Sequence, residues 1–219
     1  MTTDFTPAQS LRLQSYQSQL SKWPDSGRRI MAQFDATSIV VYQAYRPSIA
    51  SYAVEHQRFG GEFSFSRMSW IKPNFLWMMF RSGWATKEGQ ERILAVHIRR
   101  SFFDEILLSA VASSFGASGQ NCRETWKLSL ANSTVRLQWD PDHDPKSNAV
   151  ERRAIQLGLR GESLQRYGCE EVLKIEDITP LVEEQRQHID HPAELLIPTE
   201  QAYQPPQSAA QVIGLCKSD

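Results

Sequence analysis

The segment RMSWIKPNFLWMMFRSGW, residues 67–84, is the densest run of aromatic and methionine side chains in the chain. Its tryptophans recur every seven residues, and three cations but no acid accompany them. Proline is tolerated in the first turn of a helix, and the residue before it is driven towards an extended backbone. Pro73 therefore predicts a helix from Pro73 to about Ser82, with Gly83 directly after its end. Because that helix would be apolar nearly all round, we expect it to be buried.

Core packing explains the apolar side chains of this segment but not its cations, which are Arg67, Lys72 and Arg81. A cation that leaves water needs an acid or an anionic ligand. Lys72 adjoins the predicted positive helix N-terminus, where a bound phosphate is favoured. Arg81, near the other end, suits stabilisation of the helix dipole as well as contact with a ligand. The extended residues 67–72 therefore carry the prediction of a site.

Runs of β-branched and aromatic residues on either side predict strands at 38–45, 92–99 and 152–159. A proline near its start favours a short helix at 47–56 between the first two strands. Gln43 lies among apolar neighbours in the first strand, and a buried amide needs hydrogen-bond partners. Two roles remain open for it: satisfying backbone groups at a sheet edge, or contacting a ligand.

Strands and helices mix without the regular spacing of βαβ units, which predicts an α+β fold. We expect a single domain with a mixed or antiparallel central sheet flanked by helices. Its predicted boundaries are an N-terminal helix within residues 1–25, the α+β domain at 26–190 and a tail at 191–219. The tail is rich in Pro, Gln and Ala, so we expect it to be loosely attached.

Composition excludes several classes of protein. Hydrophobic residues make up 41% of the chain and charged residues 22%, as in ordinary globular proteins. No apolar run is long enough to predict a membrane-spanning helix, and the first residues do not resemble a secretory signal. Three widely spaced cysteines predict neither a metal site nor a disulfide framework, so we expect a reducing cytoplasm. The alternating carboxylates at 140–145 favour a solvated turn over a calcium loop.

The net charge of −1 conceals an asymmetry along the chain. Residues 26–100 hold eleven Lys/Arg and five Asp/Glu, a balance of +6. Residues 101–219 hold eleven Lys/Arg and eighteen Asp/Glu, a balance of −7. The basic half favours a phosphate-bearing ligand. The alternative is that the two halves neutralise each other in the folded protein.

Several segments together resemble the uncharacterised-domain family numbered 4291. The resemblance covers about residues 26–185, most of the chain, and is most specific in the central segment. It names a family without implying an activity. The segments that carry it are RRIMAQFD (28–35), SIVVYQAY (38–45), FSFSRMSWIKPNFLWMMFRSGWATKEGQERILAVHIRR (63–100), VRLQWDPDHD (135–144), RAIQLGLRG (153–161) and IEDITPLV (175–182).

The order of the elements around the buried helix is also similar to ADP-ribosyltransferase-like domains. In those domains a first strand presents an Arg or His to NAD, a later aromatic residue stacks on nicotinamide, and a Glu or Gln begins a late strand. The resemblance implies NAD as the cofactor and transferase chemistry on nucleic acid or protein. The sequence has no evident counterpart of the usual catalytic Glu: Gln156 is the best-placed stand-in, ahead of Glu162 and Glu171, and we add Tyr45 as a second catalytic candidate.

Three functions remain open on these residues. The first is binding of a nucleotide such as NAD, in which Arg29, Arg67 and Lys72 would hold the pyrophosphate by charge-assisted hydrogen bonds. The second is a module that binds single-stranded nucleic acid or processes RNA, because basic residues interleaved with aromatics suit backbone contacts and base stacking. The third is a non-catalytic structural or interaction protein. For the first, the residues predicted to stack on a ring are Tyr45, Trp70 and Trp84, with Gln43 as a further contact and Gln156 at the ribose.

Overall fold

The computed structural model describes residues 10–215, and within them the chain forms twelve strands and eight α-helices. The strands are β1 (Leu13–Ser15), β2 (Gly27–Arg28), β3 (Met31–Ala32), β4 (Ser38–Tyr45), β5 (Ser69–Ile71), β6 (Arg92–Arg99), β7 (Ala110–Ala112), β8 (Val135–His143), β9 (Ala149–Leu159), β10 (Val172–Asp177), β11 (Leu196–Pro198) and β12 (Gln201–Ala202). The helices are α1 (Tyr16–Leu20), α2 (Pro47–His56), α3 (Phe75–Ser82), α4 (Arg100–Leu108), α5 (Arg123–Asn132), α6 (Gly161–Cys169), α7 (Thr179–Gln185) and α8 (Gln207–Val212).

Two of the strands predicted from apolar runs, β4 and β6, pair antiparallel over their full length, with Ser38 opposite Arg99 and Tyr45 opposite Arg92. β10 pairs antiparallel with the other edge of β6. Alternate side chains of a strand point to opposite faces. Accordingly, Ile39 and Val41 of β4 lie in one apolar core, whereas Val40 and Tyr42 lie in another.

A second sheet has the order β2-β9-β8-β7, and β5 pairs with the C-terminal part of β9. The β2–β9 and β7–β8 pairs are parallel, while β8–β9 and β5–β9 are antiparallel. The two sheets meet just after β5, where the Tyr42 N–H donates to the Lys72 carbonyl at 2.7 Å. The result is a curled, mixed central sheet within one α+β domain, as the sequence predicted.

The predicted buried helix is α3, which begins at Phe75 rather than Pro73. Asn74 caps it from an extended conformation, and its side chain accepts the Trp77 N–H at 2.6 Å. Gly83 ends it in the left-handed region at φ 59°, where a residue without Cβ is favoured. α3 packs in the same core as Val40 and Tyr42.

The N-terminal segment differs from the helix predicted within residues 1–25. Leu13–Ser15 is a strand paired with β11, and the helix that follows it covers only Tyr16–Leu20. Ser15 caps this helix by accepting the Ser18 N–H at 3.2 Å. The imperfect apolar stripe of the sequence therefore reflects a short strand followed by a short helix. The first part of the prediction, residues 1–9, lies outside the described residues.

The C-terminal segment predicted as a loosely attached tail is packed against the domain up to residue 215. β11 and β12 pair with β1 and β3, and Leu195, Ile197 and Tyr203 are buried. Trp139 Nε1 donates to the Ile213 carbonyl at 2.8 Å. The prediction failed because it followed the polar composition of this segment, whereas a few apolar side chains anchor the segment to the domain. Residues 216–219 lie outside the described part.

The segment predicted as a solvated turn, 140–145, instead extends β8 to His143. Asp142 is fully buried, and its carboxylate lies 2.7 Å from Nη2 of Arg152 on β9. The buried charge is accommodated because its partner charge is adjacent in the β8–β9 pair. Within residues 10–215, no helix has both the length and the apolarity to cross a membrane.

Candidate functional site

A cleft of about 520 Å³ opens where the two sheets meet and α3 begins. Its walls come from the end of β4, from β5 and the residue after it, from α3, from the loop before β6, and from β8 and β9. We call this the central cleft. Its lining residues are Gln43, Ala44, Tyr45, Met68, Ser69, Trp70, Lys72, Trp77, Met78, Arg81, Glu88, Gly89, Gln90, Gln138 and Gln156.

Lys72 occupies the junction between the sheets. β5 pairs with β9, and directly afterwards the Lys72 carbonyl accepts the Tyr42 N–H, so the backbone at Lys72 is held from both sides. Its side chain is only 3% exposed, and Nζ lies 4.5 Å from the centre of the Trp77 ring. Among residues 10–215, no carboxylate lies within 4.0 Å of Nζ, and Nζ donates no hydrogen bond.

The pKa of Lys72 is lowered to about 7, mainly by burial and then by the nearby charge of Arg81, against a smaller opposing effect of Asp140. At neutral pH the amine is therefore a mixture of charged and uncharged forms. Trp77, which faces it, is also buried, and its indole N–H has no acceptor among the described residues. The Trp77 indole N–H is thus a buried donor without a partner, which is unusual in a folded protein, and it lies beside a lysine amine that donates no hydrogen bond.

A second polar group of the cleft is formed across the β8–β9 pair, where Gln138 lies opposite Gln156. Gln156 Nε2 donates to Gln138 Oε1 at 2.7 Å and to Asp140 Oδ2 at 2.5 Å. Burial raises the pKa of Asp140, while the bond from Gln156 and the charge of Lys72 lower it. These bonds fix the Gln156 amide in the wall of the cleft.

A third group joins β4 to β5 through hydrogen bonds. Gln43 Nε2 donates to Ser69 Oγ at 2.8 Å and to the Trp70 carbonyl at 3.2 Å, and its Oε1 accepts the Tyr167 hydroxyl at 2.6 Å. The Tyr45 hydroxyl lies 2.9 Å from Ser69 Oγ. Gln43 thus uses its amide within the protein, which is the structural one of its two predicted roles.

Burial raises the pKa of Tyr45 well above that of an ordinary phenol. Its ring packs edge-on against Phe59 and Phe63, with centroids 5.8 and 5.9 Å away. Tyr45 therefore stays protonated at neutral pH. It can donate or accept a hydrogen bond in the cleft but is not a base there.

The central cleft brings together five of the eight predicted site residues: Gln43, Tyr45, Trp70, Lys72 and Gln156. A sixth, Arg67, is exposed and lines an adjoining pocket of about 380 Å³. This second pocket shares four lining residues with the cleft, namely Tyr45, Met68, Ser69 and Gly89. Arg67 therefore flanks the cleft, in a pocket that shares part of its lining with it.

The remaining two predicted residues, Arg29 and Trp84, lie away from the cleft. The Arg29 N–H donates to the Arg153 carbonyl at 3.1 Å beside β2, and its guanidinium donates to the Arg28 carbonyl. Trp84 is 4% exposed and donates from Nε1 to the Pro145 carbonyl at 3.1 Å. Its ring packs edge-on to Phe75, so Trp84 serves the core.

The N-terminus of α3, which the sequence predicted to favour a phosphate, is occupied by the protein itself. Glu200 Oε1 accepts the Phe75 N–H at 2.6 Å, and Oε2 accepts from Asn74 Nδ2 at 3.2 Å. Glu200 is 3% exposed, and burial raises its pKa to about 8. A phosphate in the cleft must therefore bind side chains rather than this helix end.

Sequence reasoning missed Ser69, Gln138 and Asp140. Gln138 could have been found by pairing the predicted strands antiparallel, because that register sets it opposite Gln156. Nothing in the local sequence marked Ser69, and Asp140 was assigned to a solvated turn, because the roles of both residues come from contacts across the sheet. Within the described residues, no group of three or more His, Cys, Asp or Glu side chains is arranged to hold a metal ion.

Residues 29–203 match the family described as "Domain of unknown function (DUF4291)". The chain belongs to the DUF4291 family. This confirms the resemblance predicted for residues 26–185 and extends it through β11 and β12, the strands that pack the C-terminal segment onto the domain. A comparison with curated proteins finds no match. The family match covers every residue of the central cleft.

Proposed function

We propose that the protein binds a nucleotide in the central cleft, with the phosphate held by Lys72, Trp77 and Arg81. The observation that carries the proposal is Lys72: a buried amine in the cleft wall with no acceptor among the described residues. The unpaired indole N–H of Trp77 supplies a second donor, and the exposed Arg81 supplies a fixed positive charge. Phosphate oxygens satisfy all three groups by charge-assisted and neutral hydrogen bonds.

The rest of the cleft suits a base and a sugar. Trp70 lines it and provides a flat indole for stacking, with little cost in conformational entropy. Gln90, Gln138 and Gln156 offer amide groups to ribose hydroxyls or base edges. A volume of about 520 Å³ falls within the range of small-molecule sites, roughly 300–1,000 Å³.

NAD is the first nucleotide to test, and ADP-ribosyl transfer is the reaction that the sequence resemblance suggests. Gln156 supports this reading because its amide is fixed in the cleft and can orient a ribose. In such a reaction Tyr45 would act as a hydrogen-bonding group and not as a base, since its pKa is raised by burial. Arg67, in the adjoining pocket, would contact the second half of a dinucleotide.

Calorimetric titration with AMP, ADP, NAD and adenosine tests the proposal. We expect the phosphorylated ligands to bind and adenosine to bind more weakly. Arg81→Ala should weaken AMP binding on the order of tenfold, as expected for loss of one charge-assisted hydrogen bond. Arg123→Ala on α5 is the matched control, because this exposed arginine is remote from the lining of the cleft. Absence of heat with every nucleotide at millimolar concentration would remove the proposal.

The pH dependence of binding provides an independent check. A phosphate favours the charged form of Lys72, so binding should raise its pKa from about 7 and take up protons. Affinity for AMP should therefore fall as the pH rises from 6.5 to 8.5, more steeply than in a Lys72→Met variant. Equal pH dependence in both proteins would show that Lys72 does not contact the phosphate.

Single-stranded nucleic acid is a second candidate ligand, favoured by the position of Arg67. This exposed cation lines the pocket that adjoins the cleft and has no ion-pair partner among the described residues. A chain of nucleotides could therefore continue from the cleft into that pocket. Binding of a short RNA that weakens steeply with salt, and further in Arg67→Ala, would support it. Binding of AMP with no gain for the RNA would count against it.

We place this activity in a reducing compartment such as the cytoplasm. Cys122 and Cys169 are both free and exposed in the folded chain. Exposed unpaired thiols are typical of proteins that are not oxidised in their compartment. Cell fractionation of the untagged protein checks the assignment.

A further inference from the structure

We propose that Lys72 is an amine nucleophile that captures the aldehyde of a phosphorylated sugar as an imine. The inference rests on the proposed function in one respect: the phosphate occupies the same cleft, beside Arg81. It goes beyond nucleotide binding because it assigns covalent chemistry to a side chain and defines the reacting group of the ligand. The described parts of the protein hold no other lysine so deeply buried.

The geometry of Lys72 suits a nucleophile better than a structural ion pair. A lysine that serves packing normally places its ammonium in water or against a carboxylate. Here Nζ meets no carboxylate among the described residues, and the largely buried side chain ends against the Trp77 ring in the wall of a solvent-open cleft. The groups whose charges act on it are Arg81, which disfavours its charged form, and Asp140, which favours it. Burial beside a second cation is a recognised way of keeping a lysine amine uncharged and reactive.

The same surroundings define the ligand. An uncharged amine adds to carbonyl carbon, which calls for an aldehyde or a ketone. Arg81 and the unpaired Trp77 N–H call for an anionic oxygen group within reach of that carbonyl. The amides of Gln90, Gln138 and Gln156 suit the hydroxyl groups between them. A sugar phosphate in its open-chain form combines these three features.

The reaction balances without an oxidant or reductant. The Nζ lone pair forms a bond to the aldehyde carbon while the carbonyl π electrons move to oxygen, which takes up a proton released by the nitrogen. The carbinolamine then loses this oxygen as water as the nitrogen lone pair forms the C=N bond, and the second proton of that water also comes from the nitrogen. The products are an imine and one water, and protonation of the imine gives a cation. Asp140, whose charge acts on this nitrogen, stabilises that cation.

Reductive trapping tests the inference in the intact protein. The protein is incubated at pH 7 with glyceraldehyde 3-phosphate and sodium cyanoborohydride, which converts an imine to a stable secondary amine. Peptide mass mapping then locates the modified lysines. We expect Lys72 to be labelled on the order of tenfold faster than the exposed Lys127, because burial keeps part of the Lys72 amine uncharged at this pH. Unphosphorylated glyceraldehyde should label Lys72 more slowly, and Arg81→Ala should remove that difference.

The outcomes separate this inference from the proposed function. Labelling that is equal at Lys72 and Lys127, or absent at Lys72, overturns the inference even if AMP binds. Labelling of Lys72 that depends on the phosphate group, in a protein that binds no nucleotide, removes the nucleotide proposal and supports this one. Where both hold, saturating AMP should slow labelling of Lys72 and leave Lys127 unchanged. Lys72→Met should abolish the adduct without changing the labelling of Lys127.

Discussion

Replacing Lys72 by methionine should make the protein more stable at neutral pH. Burial lowers the pKa of Lys72 from 10.5 to about 7, so the folded state disfavours its charged form. Methionine has similar length, no charge, and a flexible side chain that fills irregular space. It removes the cost of burying the amine and retains the packing against Trp77.

The size of the effect follows from the two pKa values. Above pH 10.5 the amine is uncharged in both states and there is no penalty. As the pH falls, the unfolded state binds the proton first, which destabilises the folded state by roughly 4 kcal/mol at pH 7. Below pH 7 both states bind it and the penalty stays constant. Loss of the cation–π attraction between the charged amine and the Trp77 ring offsets roughly 1 kcal/mol of the gain, so we expect Lys72→Met to gain about 3 kcal/mol at pH 7.

Urea unfolding at pH 7 and pH 9, followed by tryptophan fluorescence, measures this effect. The advantage of Lys72→Met over the parent protein should shrink by roughly 2 kcal/mol between these pH values, because the parent gains stability as the unfolded state releases its proton. Lys127→Met, at an exposed position on α5, is the matched control and should show the same small difference at both pH values. An advantage that is constant within about 0.5 kcal/mol would mean that Lys72 is charged in the folded protein, and the reasoning would fail.

Two further predictions concern the surroundings of the cleft. Glu200→Gln should abolish a loss of stability that the parent protein shows between pH 5 and 8. Burial raises the folded-state pKa of Glu200 to about 8. The stability contributed by its protonated form is therefore fully present below the ordinary pKa of 4.5 and is lost as the pH rises through 8. Thermal melts over this range check it, and parallel profiles for parent and variant would contradict it. Gly158→Ala should cost roughly 1–3 kcal/mol and weaken nucleotide binding, because the new Cβ would lie 2.7 Å from Met68 Sδ and 3.0 Å from the Trp70 ring. Gly116→Ala, which meets open space, is its control, and equal effects of both substitutions on the melting temperature would refute the steric argument.

The local sequence predicted correctly those helices and strands that are encoded by an uninterrupted run of residues or by a proline at their start. β4 and β6 have the predicted bounds because each is an uninterrupted run of residues that favour strands, and α2 has them because a proline sets its start. The predictions for the two terminal segments were wrong because the structure of each segment depends on the other. Leu13 pairs with Pro198, at the opposite end of the sequence. No local pattern carries that information.

The residues of the candidate site also fall into those that the local sequence predicts and those that only the folded structure reveals. Gln43 and Lys72 were found because a polar side chain inside an apolar segment conflicts with burial, and that conflict is visible in the sequence. Ser69 and Asp140 have no such conflict with their neighbours, and only pairing across the sheet brings them to the cleft. Trp84 was misplaced for the converse reason, since an aromatic ring beside cations fits a core as well as a ligand site.

The charge asymmetry of the chain bears on the choice between the binding hypothesis and the purely structural one. If the basic half only neutralised the acidic half, its cations would all meet carboxylates. Arg92 does so, pairing with Asp177 at 3.0 Å across the β6–β10 edge. Arg67, Lys72 and Arg81 do not: none of them forms an ion pair within residues 10–215, although Lys72 is buried. No carboxylate of the described residues offsets the cost of burying the Lys72 amine. This is what the binding hypothesis expects of a group whose partner is a ligand.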